Sequence, residues 1–194
     1  MTSGARVDYC VVDVETANQG RQSICQIGIA LFAGGRMVDS WESLVDPEEH
    51  FSGFNISIHG IHPETVAGAP TWAEVLPSVH NLLGGAAVAS HTSFDRGAME
   101  LACLKVQKPT IPYRKWLDTC TLARAAFPEL PNHKLPTLAR CLGFSYKAHD
   151  ALEDARIAGE VLALALARRG VTVAELLATP QQHIGSFPKT PARA

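Results

Sequence analysis

Apolar residues in this chain fall first into short unbroken runs and later into helical spacing. Val7 to Val14 is a short apolar run ending in polar residues, which predicts a buried strand. Ile24 to Phe32 is a second such run, Gly34-Gly35 reads as a hairpin turn, and Met37 to Val45 is the returning strand. Asp46 to Pro70, rich in Pro, Gly and His, is expected to be an irregular loop with room for one helical turn. Thr71-x-x-Glu74 is a capping box that opens a helix with Trp72, Val75, Leu76, Val79, Leu82 and Leu83 on its apolar side and Gly84-Gly85 as its stop. Pro77 falls inside, so a kink or a late start is expected.

Ala86 to Ser90 reads as a buried strand, and Ser93 caps a helix running to about Lys105. Trp116-Leu117 makes a short strand, with Asp118 or Thr119 capping the next helix through Ala126. Leu135 to Leu142 forms another helix, ended by Gly143. Asp150-x-x-Glu153 is a second capping box, and its helix closes on Arg168-Arg169-Gly170. Thr172-x-x-Glu175 starts a last short helix that Pro180 ends. A hairpin followed by alternating helix and strand gives an α/β fold, a mixed five-stranded sheet flanked by helices. One domain is expected over residues 1–178, followed by a loosely ordered tail, 179–194.

Composition narrows the function classes. At 194 residues, with 46% hydrophobic and 19% charged residues, the chain is of ordinary globular type. Its net charge of -2 gives no global field to draw in a long duplex, so a nucleic acid would have to be held locally, at an end. Short or single-stranded ends are favoured by that argument. The apolar stretch Val161 to Ala167 is too short to span a bilayer, and the first residues have no apolar core like that of a signal peptide. A cytoplasmic location, away from membranes, is expected. Five cysteines, an odd number without C-x-x-C spacing, read as reduced core residues.

The candidate chemistry lies in three separated segments that carry four carboxylates and a histidine. Asp13 and Glu15 stand two apart on the first strand, so they share a face at its carboxyl end, where open α/β sheets place their sites. Asp95 opens the helix after the fourth strand; His149 precedes a helix cap and Asp154 lies one turn in. Alone, D-x-E can end a strand in solvent, and Asp95 can serve a helix N-terminus as an anion. Gathered, the four acids form a cage of hard oxygens whose repulsion bound divalent cations would relieve, with an imidazole at its edge. Asp150 and Glu153 are assigned to structure. His59 and His62 have zinc-like spacing, but no further His or Cys follows suitably, so zinc is rejected.

In this order the segments resemble the DEDDh family of 3′ to 5′ exonucleases, which includes the proofreading epsilon subunit of bacterial replicative DNA polymerase III, ribonuclease T and oligoribonuclease. The resemblance covers about residues 7 to 170. Its D-x-E-T motif stands as Asp13-Val14-Glu15-Thr16, its H-N-x-x-F-D as His91-Thr92-Ser93-Phe94-Asp95 with Thr92 in place of asparagine, and its H-x-x-x-x-D as His149 to Asp154. Ile58-His59-Gly60-Ile61, Asp118-Thr119 and His133-Lys134-Leu135 agree more loosely.

The resemblance implies a ribonuclease H-like sheet and a two-metal mechanism with Mg²⁺, for which Mn²⁺ can substitute. Asp13, Glu15, Asp95 and Asp154 would hold the ions, and His149 would take the proton of the attacking water. Thr16 and the backbone of Ala17 would meet the 3′ hydroxyl. His59 and Ile61 would contact the last nucleotide, with Phe94 beside it or packed into the core. The implied partners are the 3′ end of single-stranded DNA or RNA and a DNA polymerase subunit. Lys134 and Lys147 either touch phosphates or remain solvated. An RNA-trimming enzyme is the alternative; a non-catalytic binding module would have lost a ligand or the histidine, and none is lost. Gln182 to Phe187 distantly resembles sliding-clamp docking peptides, with glycine at the anchor position, and an unstructured tail is expected there instead.

Overall fold

The computed structural model describes residues 6–179. Its sheet has five strands: β1 (Tyr9–Thr16), β2 (Ile24–Ala33), β3 (Arg36–Leu44), β4 (Ala87–Ser90) and β5 (Lys115–Asp118). They lie in the order β3-β2-β1-β4-β5, with β1, β2 and β3 antiparallel and β1, β4 and β5 parallel. The mixed sheet inferred from the sequence is therefore present. The chain leaves β1 for β2 on one side and returns through β4 on the other, which makes the carboxyl ends of β1 and β4 the place where such a sheet opens into a cleft.

Strand alternation sorts the core into two layers. Tyr9 and Val11 pack on one face, beneath α5 (Thr119–Ala126), α6 (Leu135–Leu142) and α7 (Ala151–Arg169). Cys10, Val12 and Val14 pack on the other, beneath α3 (Trp72–Leu83) and α4 (Phe94–Lys105). Asp13 and Glu15 continue the odd-numbered series, so both acids face the side on which α7 lies.

Gly28 lets α7 come close enough to use them. It stands opposite Asp13 in the β1–β2 register, and a Cβ there would lie 2.3 Å from the Leu152 nitrogen and 2.4 Å from the Ala151 carbonyl carbon. Only glycine admits the start of α7 against the strand. The Ala151 N–H then donates to Gln26 Oε1 at 3.3 Å. Further along, Gly159 leaves room for the Phe32 ring, which stacks on Tyr9 with centroids 5.0 Å apart.

Several local expectations are corrected. Residues 46–70 hold two short helices, α1 (Gly53–His59) and α2 (Pro63–Val66), where an irregular loop with room for one helical turn was expected. Ser52 caps α1 and Gly60 ends it in the left-handed conformation, and seven residues are too few for a clear 3.6-residue period. Strand β1 runs on to Thr16 rather than ending at Val14, with a register shift between Glu15 and Thr16, and the two acids share a face near its carboxyl end as expected. Ser93 sits at the N-cap of α4 without a side-chain bond; the neighbouring Thr92 hydroxyl accepts the Phe94 N–H at 3.2 Å instead. Asp150 caps α7, but Glu153 turns to Arg156 instead of completing the box. Cys141 is exposed, unlike the four buried cysteines.

The capping boxes at Thr71 and Thr172 are formed, and α3 runs through Pro77. The last helix, α8 (Val173–Ala178), ends at the edge of the described region, and Gln182 to Phe187 lies outside it. Among the described residues no helix is long and apolar enough to cross a membrane.

Candidate active site

Three elements bring the predicted acids together. Strand β1 supplies Asp13 and Glu15; the first turn of α4 supplies Asp95, and the first turn of α7 supplies Asp154. Asp95 is 3% exposed, and its Oδ1 accepts the Val14 N–H at 3.2 Å, which ties α4 to the strand between the two β1 acids. Asp154 is 8% exposed, and its Oδ2 accepts the His149 N–H at 2.7 Å. That bond holds His149 at φ 62°, a left-handed conformation uncommon for a residue with a side chain. Ligand atoms of Glu15, His149 and Asp154 all lie within 4.8 Å of one another.

The site opens into a cleft of about 600 Å³ whose walls include Asp13, Asp95, Asp154, Phe94, Lys134 and His149. His149 is exposed at its edge.

Burial and mutual repulsion raise the affinity of every one of these acids for protons. Asp13 is pushed well above the usual carboxylate range, first by burial and then by Asp95, Asp154 and Glu15. Burial, with the charges of Asp154 and Asp95 behind it, lifts Glu15 to about 8. Asp95 rises to about 7 through burial, against the hydrogen bonds that it accepts. Asp154 is raised by burial as well, opposed by the His149 N–H. Among the described residues no lysine or arginine forms an ion pair with any of the four. Four clustered oxygen donors without a counter-charge fit hard divalent cations, and Asp13, Glu15, Asp95 and Asp154 are the residues that could hold them.

The remaining expected contacts are placed differently. Thr16, Ala17, His59 and Ile61 form a buried bracket beside the cleft and are not part of its wall. His59 donates from Nε2 to the Thr16 carbonyl at 3.2 Å and accepts the Ile61 N–H on Nδ1 at 2.9 Å, an arrangement that needs the neutral ring. Burial lowers its proton affinity in agreement. The Ala17 N–H donates to the Ser23 carbonyl at 2.8 Å, and the Ala17 carbonyl accepts from Ser52 at 2.8 Å. Phe94 does line the cleft. His91 bonds the Thr119 hydroxyl at 3.1 Å and the His133 carbonyl at 2.9 Å.

Some cleft residues were not singled out from the sequence. Arg124 and Asn132 stand in the wall with Lys134. Tyr146 places a buried hydroxyl near Asp154, and burial followed by the Asp154 charge makes that phenol harder to ionise. Gly28 carried a usable signal, since an isolated glycine inside an apolar strand marks a close approach of another backbone.

An acidic, cation-demanding cleft with a histidine at its lip, at the switch point of a mixed α/β sheet, defines a nuclease. The family model described as exonuclease matches residues 10–162, and the chain belongs to that family, with the residue set of its DEDDh 3′ to 5′ branch. Among curated proteins, the "DNA polymerase III PolC-type" of Oceanobacillus iheyensis is 32% identical over 160 residues, 79% of this chain but 11% of that protein. The chain thus spans about a tenth of the length of such relatives. Among solved structures, exonuclease X in complex with 5′ overhanging duplex DNA superposes with a TM-score of 0.71 at 22% identity, covering 88% of this chain and 98% of that one. E. coli exonuclease I in complex with a dA16 oligonucleotide gives 0.74 at 17% identity, covering 85% of this chain and 42% of that one. These two likenesses bear on the fold, which is the expected ribonuclease H-like sheet.

Proposed function

We propose that the chain removes nucleotides from the 3′ end of single-stranded DNA, using two Mg²⁺ ions held by Asp13, Glu15, Asp95 and Asp154 and His149 as general base. The observation that carries this reading is the convergence of Glu15, His149 and Asp154 within 4.8 Å, in a cleft that Asp13 and Asp95 also line. When bound, the dications supply the charge neutralisation and the acidified water that phosphodiester hydrolysis needs. The acids of β1 and the two helix starts fix where that charge sits. Asp154 orients the backbone of His149 so that its exposed ring can accept the water proton in its neutral form.

Single strands are favoured because a net charge of -2 offers no surface field for a duplex. DNA is favoured because the polymerase relative acts on DNA, and proofreading beside a DNA polymerase is the corresponding use. The RNA reading has its own support in a structural neighbour, the nuclease domain of 3′hExo bound to rAMP, with a TM-score of 0.71 at 22% identity. Thr16, Ala17, His59 and Ile61, buried beside the cleft, then back the place where the terminal nucleotide sits, and Phe94 is the side of the cleft that its base meets.

The purified chain with Mg²⁺ or Mn²⁺ is expected to shorten a 5′-labelled single-stranded DNA stepwise from its 3′ end, faster than the matching RNA, and to stop with a chelator. His149→Ala should lose about 10²- to 10⁴-fold in rate. Full activity in both His149→Ala and Asp13→Ala would refute the site, and faster RNA cleavage would move the substrate to RNA.

A further inference from the structure

We propose that Arg21 binds a backbone phosphate of the strand whose end enters the acidic cleft, an inference that rests on the function proposed above. Arg21 stands on the turn between β1 and β2, exposed to solvent. Its guanidinium carbon lies 5.1 Å above the centre of the Phe94 ring, and Phe94 is part of the cleft wall. A guanidinium held over an aromatic face by its carbon can still turn N–H donors toward the paired oxygens of a phosphate.

The surroundings are built to hold that group and leave it unneutralised. A Cβ on Gly97 would lie 3.3 Å from Arg21 Nη1, so α4 comes close to the guanidinium at this glycine. Among the described residues no carboxylate pairs with Arg21, whereas Arg96, Arg156 and Arg168 each pair with a glutamate. Glu49, which braces the same turn, is taken up by Lys105 at 2.8 Å.

The turn itself is tied down by hydrogen bonds. Asn18 Nδ2 donates to Glu49 at 3.1 Å and to the His50 carbonyl at 2.9 Å, the Gly20 N–H donates to Asn18 Oδ1 at 2.7 Å, and the Ser23 hydroxyl donates to the Gly20 carbonyl at 2.6 Å. These bonds hold the backbone that carries Arg21, so less of the chain has to be ordered when the side chain meets its ligand. The dications serve the scissile phosphate, so the phosphates behind it are left to cations at the rim.

The test measures binding of a fluorescein-labelled single-stranded DNA with a phosphorothioate 3′ end, in Mg²⁺, from 50 to 200 mM KCl. Arg21→Ala should weaken binding about tenfold at the lowest salt. It should also flatten the dependence of log Kd on log salt by about 0.7, one phosphate contact on a single strand. Arg21→Lys should keep the slope and bind less tightly than wild type, and Phe94→Leu should keep the slope. Turnover of thymidine 5′-monophosphate p-nitrophenyl ester, which has no second phosphate, should be unchanged in Arg21→Ala. An unaltered salt slope in Arg21→Ala overturns the proposal, and Arg21 then only covers Phe94. Wild type that cuts DNA while Arg21→Ala keeps its slope leaves the nuclease reading intact. Wild type that binds strands through Arg21 but cuts nothing removes the nuclease reading alone. Failure of wild type to bind single strands at all overturns both.

Discussion

Glu49 and Glu15 are two glutamates of one small protein treated in opposite ways. Glu49 receives Lys105 Nζ at 2.8 Å, Asn18 Nδ2 at 3.1 Å and Gln22 Nε2 at 3.2 Å. Burial pushes its proton affinity up, but the bonds from Lys105, Asn18 and Gln22 outweigh burial and hold its carboxyl below the usual range. Glu15 meets three other acids and no cation of the protein among the described residues, and burial lifts it to about 8. The first acid is finished within the fold and fastens a loop. The second is completed only by something from outside, and that incompleteness identifies the site better than its acidic composition does.

The largest effect expected from this contrast follows from neutralising a central acid. Asp13→Asn should lower the exonuclease rate by about a thousandfold or more, the several kcal/mol that metal-held charge contributes to such a transition state. It should at the same time raise the melting temperature of the metal-free protein by about 2–4 °C, the shift that roughly 1 kcal/mol gives in a domain of this size, because one repelling charge is gone. Activity by gel assay and melting by circular dichroism in EDTA check the two halves. A variant that is both inactive and less stable would mean that Asp13 is partnered as Glu49 is.

The next effect lies in pH. Glu15 near 8 and Asp95 near 7 bind protons more tightly in the folded chain than in the unfolded one, where carboxyls titrate at about 4. Their contribution to stability is therefore complete below pH about 4 and is lost as pH rises through 7 to 8. Metal-free protein should melt at falling temperature between pH 5 and 8, and Mg²⁺ or Mn²⁺ should raise the melting temperature more at pH 8 than at pH 5. A metal-induced shift that shrinks toward pH 8 would contradict the arrangement.

The sequence shows one half of this contrast and hides the other. Asp13 and Glu15 two apart on a strand, Asp95 behind a strand and Asp154 inside a capped helix are local patterns, and local patterns survive folding. The five strands, the Gly34-Gly35 turn with φ of 58° and 74°, and the ends of α6 and α7 are legible for the same reason. The partners of Glu49 are not. Asn18, Gln22 and Lys105 lie 31, 27 and 56 residues away from Glu49, which itself precedes the two short helices that the sequence pattern did not resolve. The same holds for Arg21, which meets Phe94 and Gly97 only after α4 packs against β1, and for the bracket of Thr16 and His59, which depends on α1.

The smallest effect comes from the finished acid. Glu49→Gln keeps the shape and removes the charge, so the bonds from Lys105, Asn18 and Gln22 are weakened while the acids of the cleft are untouched. Stability should fall by about 1 kcal/mol, as expected for a partly exposed pair and its hydrogen bonds, and kcat should stay within about twofold. A double-mutant cycle with Lys105→Met should give a coupling of about 0.5–1 kcal/mol by urea unfolding. Because the same network fixes the turn that carries Arg21, KM for a single strand should rise modestly in Glu49→Gln, with the p-nitrophenyl ester unaffected. A large loss of kcat instead would place Glu49 in the chemistry and dissolve the distinction between an acid that the fold completes and one that it leaves open.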